Sequence, residues 1–351
     1  MKIKIKVFPA NHGDSFLITI NEEYSVKNIL VDGGTGKESY RQLKDELQRI
    51  SDEDQVIDLL IITHCDDDHI KGIIDIFEDS TIDKKIIKKV WFNSGSLLEE
   101  RLEETIIGSD RDIPLILNNS KEKSVKQGIT LEKELERLEC WDKTLIMGLL
   151  EEYVGEAKIT VLSPNMLGLK KLNKAWEYEK NKIKEMSSVN TDYSIPMEVL
   201  LKNKFQEDDR VPNGSSIGFI LEHGEEKILM LGDSHPSVVE ESLKKLGYSS
   251  TFKLKVDVLK VSHHGSKFNT SISLLNIIDC QNFIISTNGR RHGLPNKECL
   301  ARIIATRKKG ECTNFHFNYY LKNIFLKSDY EKFNFKCNFL SEKGYTYKLG
   351  E

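Results

Sequence analysis

Polar and apolar side chains alternate from the start of the chain, Lys2-Ile3-Lys4-Ile5-Lys6-Val7, the two-residue period of a half-buried strand. The turn Pro9-Ala10-Asn11-His12-Gly13-Asp14 separates it from a second strand over 15–20, and a third over 28–31 runs into Asp32-Gly33-Gly34. Short strands with tight glycine turns predict an antiparallel meander. A helix is expected over 39–50, then an apolar strand over 56–62, a polar loop over 64–69 and a helix over 69–77. The N-terminus of that last helix faces the loop and favours anions.

Residues 89–92 read as another strand. Residues 96–155 are charged and helical in period, most clearly across 128–154, and read as a helical insertion within one domain spanning 1–351. Strand pattern returns at 158–162, and a second polar helix over 170–184 and a loop-like stretch over 187–213 follow. A hairpin pairs 216–222 with 227–231. Strands over 257–261 and 282–286 alternate with helices over 237–246 and 271–278. Strand-rich halves with outer helices predict an α/β fold, an αββα four-layer sandwich.

Composition narrows the class. The 351 residues are 39% hydrophobic and 30% charged, a globular balance with length for a large core. No signal-like apolar stretch opens the chain and no run approaches a membrane span, so a soluble, cytoplasmic protein without a membrane partner is expected. The 6 cysteines form no Cys-x-x-Cys pair, which argues against a zinc ribbon or a disulfide framework. From Thr251 onward 17 Lys/Arg stand against 8 Asp/Glu, whereas the first 250 residues carry 34 against 47. A basic last third suits a phosphate-bearing substrate, or simply a solvated face. The pI near 6.2 argues against non-specific binding of long nucleic acid.

The chemistry concentrates in His64-Cys65-Asp66-Asp67-Asp68-His69, which follows the run Leu59-Leu60-Ile61-Ile62. Imidazole nitrogen and carboxylate oxygen at the end of a strand suit zinc, manganese or iron(II). Cys65 points away from its neighbours in an extended segment and reads as packing. Asp32, Gly232-Asp233-Ser234 and His263-His264-Gly265-Ser266 are further polar strand ends, and His292 is a weaker fifth. Each alone reads as a turn or cap; together they supply the several elements a metal site needs.

Thr63-His64-x-Asp66-x-Asp68-His69-x-x-Gly72 resembles the His-x-[His/Asp]-x-Asp-His signature of the metallo-β-lactamase fold. With Asp66 at its third position and Leu259-Lys260-Val261-Ser262-His263-His264-Gly265-Ser266-Lys267, the chain looks like the hydrolase domain of the competence protein ComEC and its free-standing relatives. Residues 11–16, 30–34 and 229–233 resemble further motifs of that family, so the resemblance covers nearly the whole chain outside the insertion. It implies one or two divalent ions, Zn or Mn, with His64 and Asp66 on one side, Asp68 and His69 on the other, Asp233 bridging and His263 closing the site. Asp32 would support the metal loop from behind, and His264 would orient or bind substrate, although the sequence leaves open which of His263 and His264 is the ligand.

Two departures from the family pattern stand out. Residues 212–216, Pro-Asn-Gly-Ser-Ser, lack the histidine many members have there, so the His64/Asp66 side is expected to be the weaker site. In Arg291-His292-Gly293-Leu294-Pro295 the family histidine falls on Leu294, so either His292 stands in for it in proton donation or the role is lost.

The resemblance implies a phosphodiesterase or nuclease in which a metal-bound hydroxide attacks phosphorus, with DNA or a nucleotide as substrate. Asp68 or Asp233 would accept the proton, and His264, Asn213, Ser266, Lys267, Arg290 and Arg291 would meet the substrate. Two alternatives share these residues. One is a lactone or ester hydrolase with an acyl pocket lined by Trp176, Tyr178 and Tyr193. The other is a partner-activated module, for instance in defence against foreign DNA, docking a protein through the insertion.

Overall fold

The alternating amino terminus forms β1 (Ile3–Val7), β2 (Phe16–Asn21) and β3 (Val26–Val31), paired antiparallel in sequence order. β4 (Leu59–Ile61) and β5 (Val90–Trp91) add to β3 in parallel. A second sheet is built from β6 (Glu151–Val154), β7 (Ala157–Ser163), β8 (Gly218–His223) and β9 (Glu226–Met230). The short β10 (Leu254–Lys255) and β12 (Ile278–Asp279) pair with each other. β11 (Val258–Lys260), β13 (Asn282–Ile285), β14 (Thr313–Phe317) and β15 (Phe335–Phe339) complete the second sheet. β16 (Tyr345–Lys348) returns to pair antiparallel with β1. The first sheet runs β16, β1, β2, β3, β4, β5; the second runs β15, β14, β13, β11, β9, β8, β7, β6. The computed structural model describes residues 3–103, 122–138, 140–178, 191–308, 310–339 and 345–349.

The sheets face each other. Ile5, Ile18, Ile29 and Leu59 of the first share one buried cluster with Ile159, Phe219, Ile228 and Ile284 of the second. Each such side chain contributes about 1.5–3 kcal/mol on burial, which fixes the strands' faces and therefore their register. α1 (Lys37–Asp52) and α2 (Asp67–Glu78) cover the outer face of the first sheet. The helical spacing of Leu43, Leu47 and Ile50 makes the buried stripe of α1. α3 (Gly95–Glu103), α4 (Glu122–Glu136) and α5 (Met166–Tyr178) extend that outer layer. The short α6 (Met197–Leu200) and α7 (Val211–Gly214) precede β8. α8 (Pro236–Lys245), α9 (Ile272–Leu275) and α10 (Lys297–Ala305) cover the second sheet, and α11 (Lys327–Lys332) precedes β15. The result is the expected αββα order of layers.

The helical period expected across 128–154 stops at Glu136. Residues 151–154 are instead an edge strand on β7, turned by Gly155 at φ +61°. Its glutamates suit an edge open to water, which is why their spacing imitates a solvated helix. Residues 104–121 of the expected insertion, 179–184 of the second polar helix and 187–190 of the next loop lie outside the described residues. Trp176 does not line an acyl pocket: a Cβ on Gly95 or Gly128 would lie 2.2 or 2.1 Å from its ring, so the indole packs directly between two helix backbones. Tyr193 packs against the core outside the second sheet, and the side chain of Tyr178 lies outside the described residues. Among the described residues no helix is long and apolar enough to cross a membrane.

Candidate metal centre

Parallel pairing brings the polar strand ends together. Val31 of β3 is level with Ile61 of β4, and Lys260 of β11 is level with Met230 of β9 and Ile284 of β13. The loops leaving these strands therefore emerge along one edge, the carboxyl edge where α/β sheets bind ligands. They carry Asp32, the 64–69 loop, Asp233 and the His263–His264 pair.

Each of the four histidines has its Nδ1 pinned. His69 Nδ1 lies 2.7 Å from Asp32 Oδ2, and Asp32 also accepts from the Thr63 amide at 2.8 Å and the Thr63 hydroxyl at 2.7 Å. With its proton on Asp32, Thr63 Oγ1 accepts from His64 Nδ1 at 3.1 Å. His264 Nδ1 donates to the Ser286 carbonyl at 2.9 Å, and His263 Nδ1 to Asn269 Oδ1 at 2.9 Å. Every ring is thereby held with its Nε2 lone pair free.

All four lone pairs meet at one oxygen. Asp233 Oδ2 is 3.5 Å from His69 Nε2, 3.7 Å from His263 Nε2, 3.7 Å from His264 Nε2 and 3.8 Å from His64 Nε2. Asp68 Oδ2 is 3.4 Å from His264 Nε2. The buried Nε2 atoms of His64, His69 and His264, and Oδ1 of Asp66 and Asp233, have no hydrogen-bond partner. Buried polar atoms without partners are costly. Nitrogen lone pairs turned on a carboxylate require positive charge between them. Protons or a divalent cation meet that need, and the N/O donor set fits zinc, manganese or iron(II). Donor atoms close enough to share an ion occur in the sets His64/His69/Asp233 and Asp68/His69/His264, and in two sets that include Asp14.

The electrostatics agree. Burial pulls the His264 pKa down, but Asp233 and then Asp14 push it up to about 9. For His69 burial is likewise overcome, by Asp233 and Asp32, and its pKa rises well above the ordinary range. Burial opposes ionisation of Asp68 and Asp233 too, yet the histidines hold both well below the usual carboxylate range. Asp66 is held at about 2 against burial, by His64 and the Arg210 guanidinium.

The histidine pair departs from expectation. His264, expected to handle substrate, stands with Asp68 and His69 in the donor cluster, whereas His263 is in none of the sets of three. His263 instead leans on Asn269, on Asn213 Nδ2 at 3.2 Å and on Asp208 at 3.5 Å. The cause is the backbone. His263 and His264 both adopt left-handed conformations, φ 47° and 55°, at about 1–2 kcal/mol per residue. A strand would send neighbouring rings to opposite faces; here both turn to the same side, 5.7 Å apart.

Other expected site residues are placed differently. Asn213 and Ser266 are buried: the Asn213 amide donates to Asp208 at 2.6 Å, and Ser266 Oγ accepts from the Phe268 amide at 3.2 Å. They shape the loops and offer substrate no surface. His292 is exposed on the rim, and its partly desolvated ring, beside the Arg210 and Arg291 guanidiniums, has its pKa lowered to about 4. It is neutral at pH 7 and holds no ready proton. Arg290 and Arg291 are exposed on the same loop, and Arg291 reaches His12 Nε2 at 2.8 Å. Lys267 is partly exposed, its ammonium 5.2 Å over the Phe268 ring.

Sequence reasoning missed Asp14, Lys260, Asp208, Arg210 and Asn269. Lys260 and Asp14, each about 1% exposed, form a buried ion pair, and Lys260 also donates to the Gly232 carbonyl at 2.8 Å. A lysine inside the apolar stretch Val256–Val261 was its signal. Asp14 lies 3.4 Å from His264 Nδ1 and takes its backbone amide to the Asp68 carbonyl at 3.2 Å.

Residues 10–137 match the family model of the metallo-beta-lactamase superfamily. Among solved structures, the chain is similar to the metallo-beta-lactamase fold protein YhfI from Bacillus subtilis at 10% identity, covering 99% of this chain and 100% of that one, TM-score 0.41. It is similar to Zn(2+)-bound PqqB from Methylobacterium extorquens at 12% identity, covering 96% and 88%, TM-score 0.40. It is also similar to CmlA, a diiron beta-hydroxylase from Streptomyces venezuelae, at 12% identity and TM-score 0.40, with 99% of this chain covered. The chain spans about half of CmlA, 55% of its length. Among curated proteins none matches the sequence.

Proposed function

We propose, from the match of residues 10–137 to the metallo-beta-lactamase superfamily model, that the protein is a metal-dependent hydrolase of phosphodiesters, with DNA or a nucleotide as substrate. The observation that carries the hydrolase reading is the convergence of four Nδ1-pinned imidazoles on Asp233 Oδ2. A divalent ion bound there supplies a Lewis-acid charge and makes water acidic near neutral pH.

The chain's own groups do the rest. His64, His69 and His264, with Asp68 and Asp233, are the ligand set. Asp32, Thr63 and the Ser286 carbonyl keep the rings from turning. Asp68, 19% exposed where Asp233 is 3% exposed, is the carboxylate that takes a proton from the attacking water. Arg210 and Arg291, both close enough to shift His292, attract an anionic substrate to the mouth, and Lys267 and Arg290 add to that field. These cations favour a phosphodiester over a neutral lactone or ester, as does the indole of Trp176 being taken up in the core. The resemblance of residues 63–72 and 259–267 to the ComEC hydrolase domain supports DNA in particular.

The test is cleavage of single-stranded DNA, RNA, cyclic dinucleotides and bis-p-nitrophenyl phosphate by purified protein with Mn2+ or Zn2+, alongside a lactone and ester panel. Phosphodiester cleavage that disappears in Asp68→Ala is expected. Cleavage of the esters alone, or phosphodiester cleavage undiminished in Asp68→Ala, would overturn the proposal.

A further inference from the structure

Asp66 sits in the same loop as Asp68 and keeps different company. No group of three or more donor atoms close enough to share an ion includes it among the described residues. Its Oδ2 lies between the guanidinium of Arg210, with Nη2 at 3.5 Å, and His64 Nε2 at 3.8 Å, and its Oδ1 is buried without a partner. The Asn213 amide nitrogen is committed to Asp208 at 2.6 Å, and its Oδ1 is buried without a partner.

Arg210 is placed firmly. Its backbone amide donates to Asp208 Oδ1 at 3.0 Å, and its carbonyl accepts from Gly214 N at 3.0 Å and from His235 Nε2 at 3.1 Å. The side chain is 35% exposed, and among the described residues its guanidinium makes no hydrogen bond except the one to Asp66. Desolvation would lower its pKa, but Asp66, Asp208, Asp68 and Asp233 surround it and keep it charged. A fixed cation with spare donors thus lies against a buried carboxylate of the loop that the donor cluster leaves out.

We infer that this is a one-ion centre in which Arg210 is the second cation: its guanidinium holds Asp66, keeps a second divalent ion away, and presents its free N–H groups to an anionic oxygen of the substrate. Like charges repel a dication strongly at such range, and a planar guanidinium is suited to bind a phosphate oxygen pair. The inference rests on the metal-centre reading above and goes beyond it in assigning the stoichiometry and the role of Arg210.

Metal content separates the two. The full chain is equilibrated with excess Mn2+ or Zn2+, freed of unbound metal and measured for ions per chain by mass spectrometry, with circular dichroism as a check on folding. One ion per wild-type chain is expected, lost in Asp68→Asn. It is retained in Asp66→Asn with an affinity change smaller than the roughly 10-fold that even an outer ligand partner costs. Arg210→Gln, which frees Asp66, is expected to approach two ions, and Arg210→Lys, which keeps the charge, to stay at one. Two ions in the wild type, loss of the ion in Asp66→Asn, or a single ion in Arg210→Gln would overturn the inference. No ion in the wild type would overturn the metal-centre reading itself.

Discussion

Nδ1 of His69 lies 2.7 Å from Oδ2 of Asp32, and both side chains are sealed from water. The contact ties the first helical turn after the metal loop to the end of the neighbouring strand, and it decides which nitrogen of His69 faces the centre. Asp32→Ala removes the acceptor, frees the ring to turn and lets the proton move to Nε2. Metal affinity is expected to fall by about 10- to 100-fold, measured by competition with a chromophoric chelator. An unchanged affinity would mean that packing alone orients His69.

The buried pair Lys260–Asp14 yields a prediction about stability. Replacing Lys260 by Met leaves the Asp14 carboxylate buried without its main counter-charge, although His264 still faces it. The expected cost is about 3–5 kcal/mol, read by urea unfolding of the metal-free protein. Asp14→Asn in the same chain removes the stranded charge and should recover part of the loss. Additive losses in the double variant would show that the two groups act independently.

How much of this was legible follows from where each residue sits. Asp32, His64 and Asp233 could be read because each closely follows an apolar strand, and His69 because it closes the loop that His64 opens; parallel register turns such strand ends into neighbours. The Lys260–Asp14 pair could not, because it joins residues from the two sheets whose contact depends on how the layers stack. The roles of His263 and His264 were hidden by two successive left-handed residues, which no side-chain pattern announces. β6 was read as helix because edge glutamates and helix-surface glutamates serve the same solvent.

Protonation and metal binding compete for the same nitrogens. With a pKa of about 9 against an ordinary 6.5, His264 stabilises the metal-free fold fully below pH 6.5. That contribution is lost as pH rises through about 9. Metal binding has the opposite sign, because the ligand must be neutral: affinity should rise by about tenfold per pH unit for each proton expelled across that window. Calorimetric titration at pH 7 in buffers of different ionisation enthalpy should show proton release. The stabilisation conferred by metal should also be larger at pH 9 than at pH 6. Buffer-independent heats would show that the empty site carries no such protons.

Gly72 lets α2 lie directly on the Asp32 turn. Its amide donates to the Gly34 carbonyl at 2.9 Å, while Gly33 N donates to the His69 carbonyl at 2.8 Å. A Cβ at position 72 would stand 2.1 Å from the Gly33 carbonyl oxygen, and neither backbone can yield without moving the helix. Gly72→Ala should therefore cost about 1–3 kcal/mol in stability and also weaken metal binding, because Asp68 and His69 ride on the displaced turn. Ile73→Val, in the buried core beside it, is the comparison: it should lose about 0.5–1.5 kcal/mol with metal affinity unchanged. If the two variants lose stability yet bind metal alike, the close approach at Gly72 serves packing and does not position the centre.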